Sequence, residues 1–112
     1  MPGYSPSAEQ PIRTDFEMVD GIAVVSWLVQ KAGTMLPQHS HPYPHLSQLA
    51  AGKIRVWSDR KYLGEFTAPA QIVVEANTKH MFEVLADNTH ILCIHNASRH
   101  GLIEVAEEHQ VV

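Results

Sequence analysis

The chain has 112 residues, enough for one domain with a single modest hydrophobic core. Apolar residues make up 45% and charged residues 18%, which is ordinary for a soluble globular protein. The net charge of −4, without any run of lysine or arginine, argues against a nucleic-acid partner. No apolar stretch approaches the roughly 20 residues of a membrane span, which argues against a membrane partner. The N-terminus lacks a recognisable secretion signal, and the single cysteine, Cys93, favours the reducing cytoplasm.

The predicted elements begin after a proline-containing N-terminal segment. Residues 1–11 carry three prolines and are predicted to form an extended arm. Short runs rich in β-branched and aromatic residues then alternate with turn signals, and no segment has convincing helical periodicity. The predicted strands cover residues 22–29, 53–58, 61–67, 71–75, 80–85 and 90–96, with a further strand beginning at His45. Short strands separated by turns every 8 to 12 residues or so indicate an all-β sandwich or barrel.

The first of these strands, residues 22–29, is apolar in both of its alternating phases. An antiparallel strand normally keeps one face in water, so a strand with two apolar faces needs two covers. One cover is the internal core. For the other, a second subunit is favoured over the N-terminal arm, which predicts a homodimer.

Three histidines fall within seven residues between two glycines. His39 and His41 are two residues apart, so on an extended strand their side chains leave the same face and can grip one ion. Pro42 and Pro44 have no N–H to donate and prevent regular strand continuation. The chain is therefore expected to turn there and to return His45 at the head of the next strand.

A fourth histidine, His80, opens a later predicted strand. It shares its phase with the apolar Phe82 and Val84, so it should point inward. A lone histidine at a strand end is more often a surface or hydrogen-bonded residue than a ligand, but the whole constellation favours a metal site. His95 shares a phase with two other candidates for the interior, and the pattern leaves its direction undecided. The remaining histidines have no comparable partners: His90, His100 and His109.

The segment GTMLPQHSHPYPHLSQLAAG, residues 33–52, resembles the first cupin motif. In that motif a glycine is followed by five residues, H-x-H, three or four residues, an acidic ligand, six residues and a second glycine. The segment EANTKH, residues 75–80, is similar to the family's second motif, P-x-G-x2-H. The resemblance spans about residues 16–98 and implies the cupin double-stranded β-helix, a jelly-roll β-barrel. The barrel is expected over residues 12–105, followed by a C-terminal tail at 106–112.

The chain departs from the cupin pattern at three positions. His45 replaces the usual glutamate ligand, Asn77 the turn glycine and Glu75 the proline. Asparagine is the best substitute for glycine where φ is positive, so the turn is expected to survive. The departure at His45 makes the chain similar to small single-domain four-histidine cupins, several of which hold manganese. The resemblance implies one divalent transition metal per chain, with manganese favoured, then iron, nickel and zinc. Its ligands would be His39, His41, His45 and His80.

Four neutral imidazoles leave a divalent ion its full +2 charge and, in octahedral geometry, two open positions. This chemistry favours a metal-dependent oxidoreductase, of dioxygenase type, acting on a small organic substrate. Two alternatives stay open: a non-oxidative isomerase or lyase using the metal as Lewis acid, and a non-catalytic module that binds a small ligand or metal. Candidates for the substrate pocket are Tyr43, Phe82 and Cys93, and no general acid or base is identified.

Overall fold

The computed structural model of the chain describes residues 11–37 and 40–100, and the regular secondary structure of this part is almost entirely β-strand. The elements in chain order are β1 (Ile12–Val19), β2 (Ile22–Val29), β3 (Met35–Pro37), β4 (His45–Ala51), β5 (Lys53–Ser58), β6 (Lys61–Thr67), β7 (Ala70–Val74), β8 (His80–Val84), β9 (Thr89–Asn96) and α1 (Ala97–His100).

The strands form two antiparallel sheets around a shared core. The large sheet has the order β1-β2-β9-β4-β7, and the small sheet has the order β3-β8-β5-β6. Neighbouring strands are often distant in sequence, as in β2-β9-β4, so the chain crosses repeatedly between the sheets. The prediction of an all-β fold is confirmed.

Three short or exposed elements differ from the sequence-based prediction. β1 was not predicted as a strand, because all eight of its residues are exposed and it has no buried face to generate an apolar phase. β3 spans three residues and α1 four, which is too short for a strand or helix periodicity to be visible in the sequence. The prediction that the chain has no helix was therefore wrong at Ala97–His100. Of the arm predicted over residues 1–11, all but residue 11 lies outside the described residues, and so does the predicted tail at 106–112. No helix in the described part is long and apolar enough to cross a membrane.

The inward-facing side of each central strand changes from polar to apolar along its length. The inward series are His45–Ser47–Leu49 on β4, His95–Cys93–Ile91 on β9 and His80–Phe82–Val84 on β8. The strand register brings like members together: Ser47 lies opposite Cys93, and Leu49 lies opposite Ile91. The interior therefore has an imidazole end, defined by His41, His45, His80 and His95, and an apolar end, defined by Leu49, Ile54, Val84 and Ile91.

The apolar end forms the main hydrophobic cluster. Leu49, Ile54 and Val84 are completely buried there and pack together with Phe82 from the middle of β8. Burying one such side chain contributes roughly 1.5–3 kcal/mol. The large sheet and the small sheet both supply members, so this cluster joins the two sheets.

The two faces of β2 have different surroundings. Ala23, Val25 and Val29 point inward and are fully buried. On the other phase Val24 and Leu28 are only half-buried. Within the described residues, the core therefore covers the inward face of β2, and the outward face has no second cover.

Candidate metal centre

The first histidine segment is irregular between β3 and β4. Pro42 and Pro44 are exposed, whereas the residues that alternate with them, His41, Tyr43 and His45, are buried. As predicted, the chain leaves regular strand geometry at the prolines, and β4 begins at His45. The proline spacing thus turns three successive odd-numbered side chains toward the interior.

The turn before β8 is held to that segment by the backbone. Asn77 has φ 59°, the left-handed conformation expected where the cupin motif has glycine. Its N–H donates a hydrogen bond to the carbonyl of His41 at 2.7 Å. Through this bond the position of the turn preceding His80 is tied to the position of His41.

Thr78 sets the orientation and the tautomer of His80. The Thr78 hydroxyl donates its only hydrogen to the carbonyl of Glu75, at 2.9 Å. Its oxygen also lies 3.2 Å from Nδ1 of His80. Because the hydroxyl hydrogen is already used, Nδ1 must be the donor in this second bond. Nε2 of His80 then carries the lone pair, as a metal ligand requires, with the threonine as the outer partner that such ligands usually have.

Burial favours the neutral form of the His80 imidazole. The side chain is 2% exposed, and this burial lowers the pKa of His80 below its usual value near 6.5, while a hydrogen bond to the backbone of Thr78 opposes the shift. The neighbouring ring of His45 lowers the pKa of His80 further, so the two rings are close enough to interact electrostatically. A neutral imidazole is the form that binds metal.

The spacing of His41 and His45 is compatible with two imidazoles that share one ion. His41 and His45 have ring centroids 5.5 Å apart. Two imidazoles that share an ion have centroids within about 6.5 Å of each other, because nitrogen–metal bonds are about 2.1 Å long. Within residues 11–37 and 40–100, no three histidine, cysteine, aspartate or glutamate side chains form a group that could hold an ion as they stand. The predicted ligand His39 lies outside that part of the chain.

The predicted pocket residues occupy three different positions. Tyr43 is buried beside His41, with ring centroids 5.1 Å apart. Cys93 is completely buried in a small apolar cluster with Val25 and Trp27, and its Sγ lies 4.0 Å from the Ser47 hydroxyl. Phe82 belongs to the main core. It lies opposite Leu36 and Val56 in register, one inward position beyond His80. Tyr43 is thus at the imidazole end, Cys93 lies one layer beneath it, and Phe82 is part of the core floor.

Two residues near the centre, His95 and Thr78, were not among the site residues predicted from the sequence. His95 is 1% exposed, and its ring lies 4.4 Å from that of His45. His95 shares its phase with Ile91 and Cys93, which could have indicated an inward side chain. The sequence alone does not show which phase of β9 faces inward. Thr78 has a weaker signal, a hydroxyl two residues before a predicted ligand. His90, in contrast, is on the outward phase of β9, where its Nε2 pairs with the Ser26 hydroxyl.

Two surface cavities include His80 in their linings. The larger, about 450 Å³, is lined partly by Pro37, Trp57 and Met81. These alternate with buried inward residues, so this cavity lies on the outer side of the small sheet. The smaller cavity, about 230 Å³, lies between the edge strands β6 and β7 and includes the inward-facing Ser58, with Lys61 and Glu75. Ser58 lies opposite His80 in register, so the smaller cavity is bordered by an inward position next to the imidazole end.

No protein-family model and no curated protein matches this sequence. Solved structures do match. The plu4264 protein of Photorhabdus luminescens has a TM-score of 0.64 and 14% identity, covering 80% of this chain and 74% of that one. An RmlC-like cupin protein from Desulfovibrio desulfuricans has a TM-score of 0.63 and 19% identity, covering 78% and 83%. A Klebsiella pneumoniae protein with a double-stranded β-helix domain has a TM-score of 0.63 and 16% identity, covering 82% and 81%. The predicted fold class, the double-stranded β-helix of the cupins, is confirmed, and identities this low show the fold alone.

Proposed function

We propose that this chain is a metal-binding cupin whose imidazole end holds one divalent transition metal. The proposed ligands are His39, His41, His45 and His80, with manganese favoured, then iron, nickel and zinc. The observation that carries the proposal is His80: it is buried, burial lowers its pKa and so favours the neutral ring, and its Nδ1 pairs with Thr78, which leaves Nε2 available. Three of the four ligands are among the described residues, and all three are buried.

The activity we propose is that of a metal-dependent oxidoreductase, of dioxygenase type, on a small organic substrate. A divalent ion held only by neutral imidazoles would supply redox capacity and a +2 charge that attracts anionic oxygen ligands. The protein's own residues would bind and shield the substrate. The cavity between β6 and β7, about 230 Å³ in volume, would admit the substrate past Ser58. The apolar layer of Val25, Trp27 and Cys93 beneath the rings would exclude water.

The first experiment is metal analysis of protein purified without an affinity tag. We expect about one transition-metal ion per chain in the wild type and in His90→Gln, and loss of that ion in His80→Ala. His90 is a fair control because it is on the same fold but on the outward phase of β9. A metal content equal in His80→Ala and wild type would contradict the proposal.

The second experiment separates the three activities that the sequence left open. Oxygen uptake by the manganese- or iron-loaded protein, with a panel of enolisable and alkene substrates, is the expected result for an oxidoreductase. Turnover without oxygen and with a redox-inert ion such as Zn²⁺ would assign an isomerase or lyase instead. Ligand-dependent stabilisation without any turnover would assign a binding module.

We also propose that the chain is a homodimer through the outward apolar face of the large sheet, defined by Val24, Leu28, Leu46, Leu92 and Ile94. All five side chains are half-buried. The outward face of the small sheet is different: Arg55 lies 3.0 Å from Glu65 and 3.5 Å from Glu83, in exposed ion pairs. Contiguous apolar surface of this kind marks interaction sites, whereas the ion-paired face suits water.

Light scattering coupled to size exclusion tests the dimer. The wild type is expected at twice the chain mass of 12.5 kDa, and Leu92→Lys, on the outward apolar face, is expected to be monomeric. Leu63→Lys, at an exposed position of β6, serves as the matched control and should remain dimeric. A wild type that elutes as a monomer at all concentrations would remove the proposal.

The remaining expectations concern surroundings and partners. The only cysteine, Cys93, is buried, so the sequence offers no second cysteine for an intrachain disulfide, and the net charge is −4. We therefore place the protein in the cytoplasm, with a small molecule and not a nucleic acid as its ligand.

A further inference from the structure

Four buried rings at the imidazole end form two stacked pairs at right angles. Tyr43 stacks on His41, with centroids 5.1 Å apart and planes 11° apart. His95 stacks on His45, with centroids 4.4 Å apart and planes 25° apart. The pairs meet edge to face: the plane of His95 makes angles of 90° with His41 and 83° with Tyr43. Each of the two described ligands from the first motif therefore has its own stacking partner.

The position of His95 follows from the strand register. β9 lies between β2 and β4 in the large sheet. The register that pairs Leu46 with Ile94 brings His45 and His95, one residue further along each strand, opposite each other. On the other side His95 lies opposite Ala23, whose small side chain leaves room for the ring. Directly opposed residues on one face have their Cβ atoms roughly 5 Å apart, the distance at which rings stack.

Stacking and shared ligation are incompatible in this arrangement. A metal bound to an imidazole nitrogen lies close to the plane of that ring. Two rings that face each other at a small interplanar angle have planes that do not meet beside both nitrogens. In the observed orientation His45 and His95 therefore cannot both direct a lone pair at the same ion.

We propose that His95 and Tyr43 are positioning residues of the metal centre, which hold the rings of His45 and His41 in the planes that ligation requires. This inference rests on the proposed function, because it takes His41 and His45 to be ligands. A histidine ring without a neighbour rotates about two side-chain bonds and must lose that freedom when it binds an ion. A ring already clamped by a stacked partner and by perpendicular neighbours has lost it in the folded protein, so the site binds metal more tightly.

The role of His95 can be tested by comparing an aromatic and a non-aromatic replacement. His95→Phe keeps a ring against His45 but has no nitrogen, whereas His95→Leu fills similar volume without a ring. We expect His95→Leu to weaken Co²⁺ affinity by roughly 10- to 100-fold, the usual effect of losing an outer-shell partner, and His95→Phe to restore it to within about threefold of the wild type. Affinity is measured by chelator competition and ligand geometry by the visible spectrum of bound Co²⁺. His90→Gln, on the outward phase of the same strand, is the control and should match the wild type.

Each other outcome overturns the inference in a recognisable way. If His95→Phe is as weak as His95→Leu, and X-ray absorption at saturating metal counts one imidazole fewer in both, His95 is a ligand. If His95→Leu binds as tightly as the wild type, with an unchanged Co²⁺ spectrum, the stacking has no role. Urea unfolding of the apo-proteins shows whether a loss of affinity comes from misfolding; if His95→Leu does not fold, His95→Gln takes its place as the non-aromatic variant.

Failure of the proposed function gives a different result from failure of this inference. A wild type that does not bind Co²⁺, or a His80→Ala variant that binds it normally, removes the metal centre itself. Tyr43 offers an independent check. Tyr43→Phe keeps the ring on His41 and should bind Co²⁺ like the wild type, whereas Tyr43→Leu should lose affinity as His95→Leu does. Equal binding by both Tyr43 variants would remove Tyr43 from the proposal.

Discussion

The two ends of the barrel interior are built from the same strands but carry opposite kinds of side chain. At the apolar end, Leu49 and Ile91 meet across β4 and β9. Two inward positions from Leu49 on β4 is His45, and two inward positions from Ile91 on β9 is His95, so these two rings face each other across the same pair of strands. The apolar end packs apolar side chains against one another, whereas the rings at the imidazole end have defined mutual orientations. The two ends share strands but no side chain, so we expect substitutions at the apolar end to change mainly stability, and substitutions at the imidazole end to change mainly the proposed metal binding.

The largest expected effect is at the imidazole end. His80→Ala removes a proposed ligand and should abolish stoichiometric metal, and His39→Ala should do the same. His109→Ala should leave the metal content unchanged. The measurement is metal per chain after dialysis, with the unfolding midpoint of the apo-protein recorded in parallel. Normal metal content in His80→Ala and His39→Ala would contradict the proposal that the imidazole end binds the metal.

The next largest effect is at the apolar end. Leu49→Ala should lower the free energy of unfolding by roughly 2–5 kcal/mol, because Leu49 is completely buried and leaves a cavity. Metal bound per folded chain should stay unchanged. Leu63→Ala is the control, since Leu63 is 42% exposed and should change the free energy of unfolding by less than about 0.5 kcal/mol. Urea titration provides the energies, and a Leu49→Ala protein that folds but does not bind metal would show that the ends are coupled.

The third effect concerns the partner of His80. Thr78→Val keeps the shape of the side chain but removes the oxygen that accepts from Nδ1, so it should weaken metal binding by roughly 10- to 100-fold. Thr78→Ser keeps the oxygen and should bind nearly as the wild type does. Competition with a chelator measures both. Equal affinities for the valine and serine variants would mean that the tautomer of His80 is set elsewhere.

The fourth effect is the response to pH. Because burial lowers the pKa of His80 in the folded protein, the unfolded chain takes up this proton first as the pH falls through about 6.5. Stability of the apo-protein should therefore decrease with falling pH, by at most about 1.4 kcal/mol per pH unit from this group, and reach its plateau below the folded pKa. Bound metal should also be lost below about pH 6, because protons compete for imidazole nitrogen.

A matched variant isolates the contribution of His80 to that response. Urea titrations of apo wild type and His80→Gln at pH 7.5, 6.5 and 5.5 should show a smaller pH dependence in the variant. Parallel curves would assign the pH dependence to other groups, and full metal retention at pH 5 would contradict ligation by neutral imidazole.

The smallest expected effect is at the turn that joins the two motifs. Asn77 has φ 59°, so Asn77→Ala should cost about 1 kcal/mol of stability, and Asn77→Gly should not. Because the Asn77 N–H binds the His41 carbonyl, the alanine variant should also weaken metal binding slightly. Thermal unfolding and metal titration of the two variants give the comparison; an alanine variant as stable as the glycine variant would show that the turn adapts without strain.

The sequence was sufficient for the parts of the molecule whose signal is local and periodic. The alternation in β8 correctly predicted that His80 points inward with Phe82 and Val84. The prolines correctly predicted the break before β4. The resemblance to the second cupin motif, with Asn77 at the glycine position, correctly predicted a turn with positive φ. In each case a few adjacent residues determine the geometry.

The rest depends on pairing between distant segments, which a single sequence does not carry. The inward direction of His95 follows from the position of β9 between β2 and β4, and its stacking on His45 follows from their register. β1 was missed because its side chains are exposed on both phases and it is defined only by its hydrogen bonds to β2. Ligation by His39, the native metal and the reaction remain predictions.

β1 occupies the edge of the large sheet, and none of its eight side chains is buried. Detachment of β1 would therefore expose hydrogen-bonding groups of β2 but would leave the packed interior complete. Amide deuteration should therefore proceed fastest along Ile12–Val19 and slowest along β9, which is flanked on both sides. A strand of this kind is also suited to exchange between two copies of the chain, since leaving one sheet edge and joining an identical one changes no contact of the core.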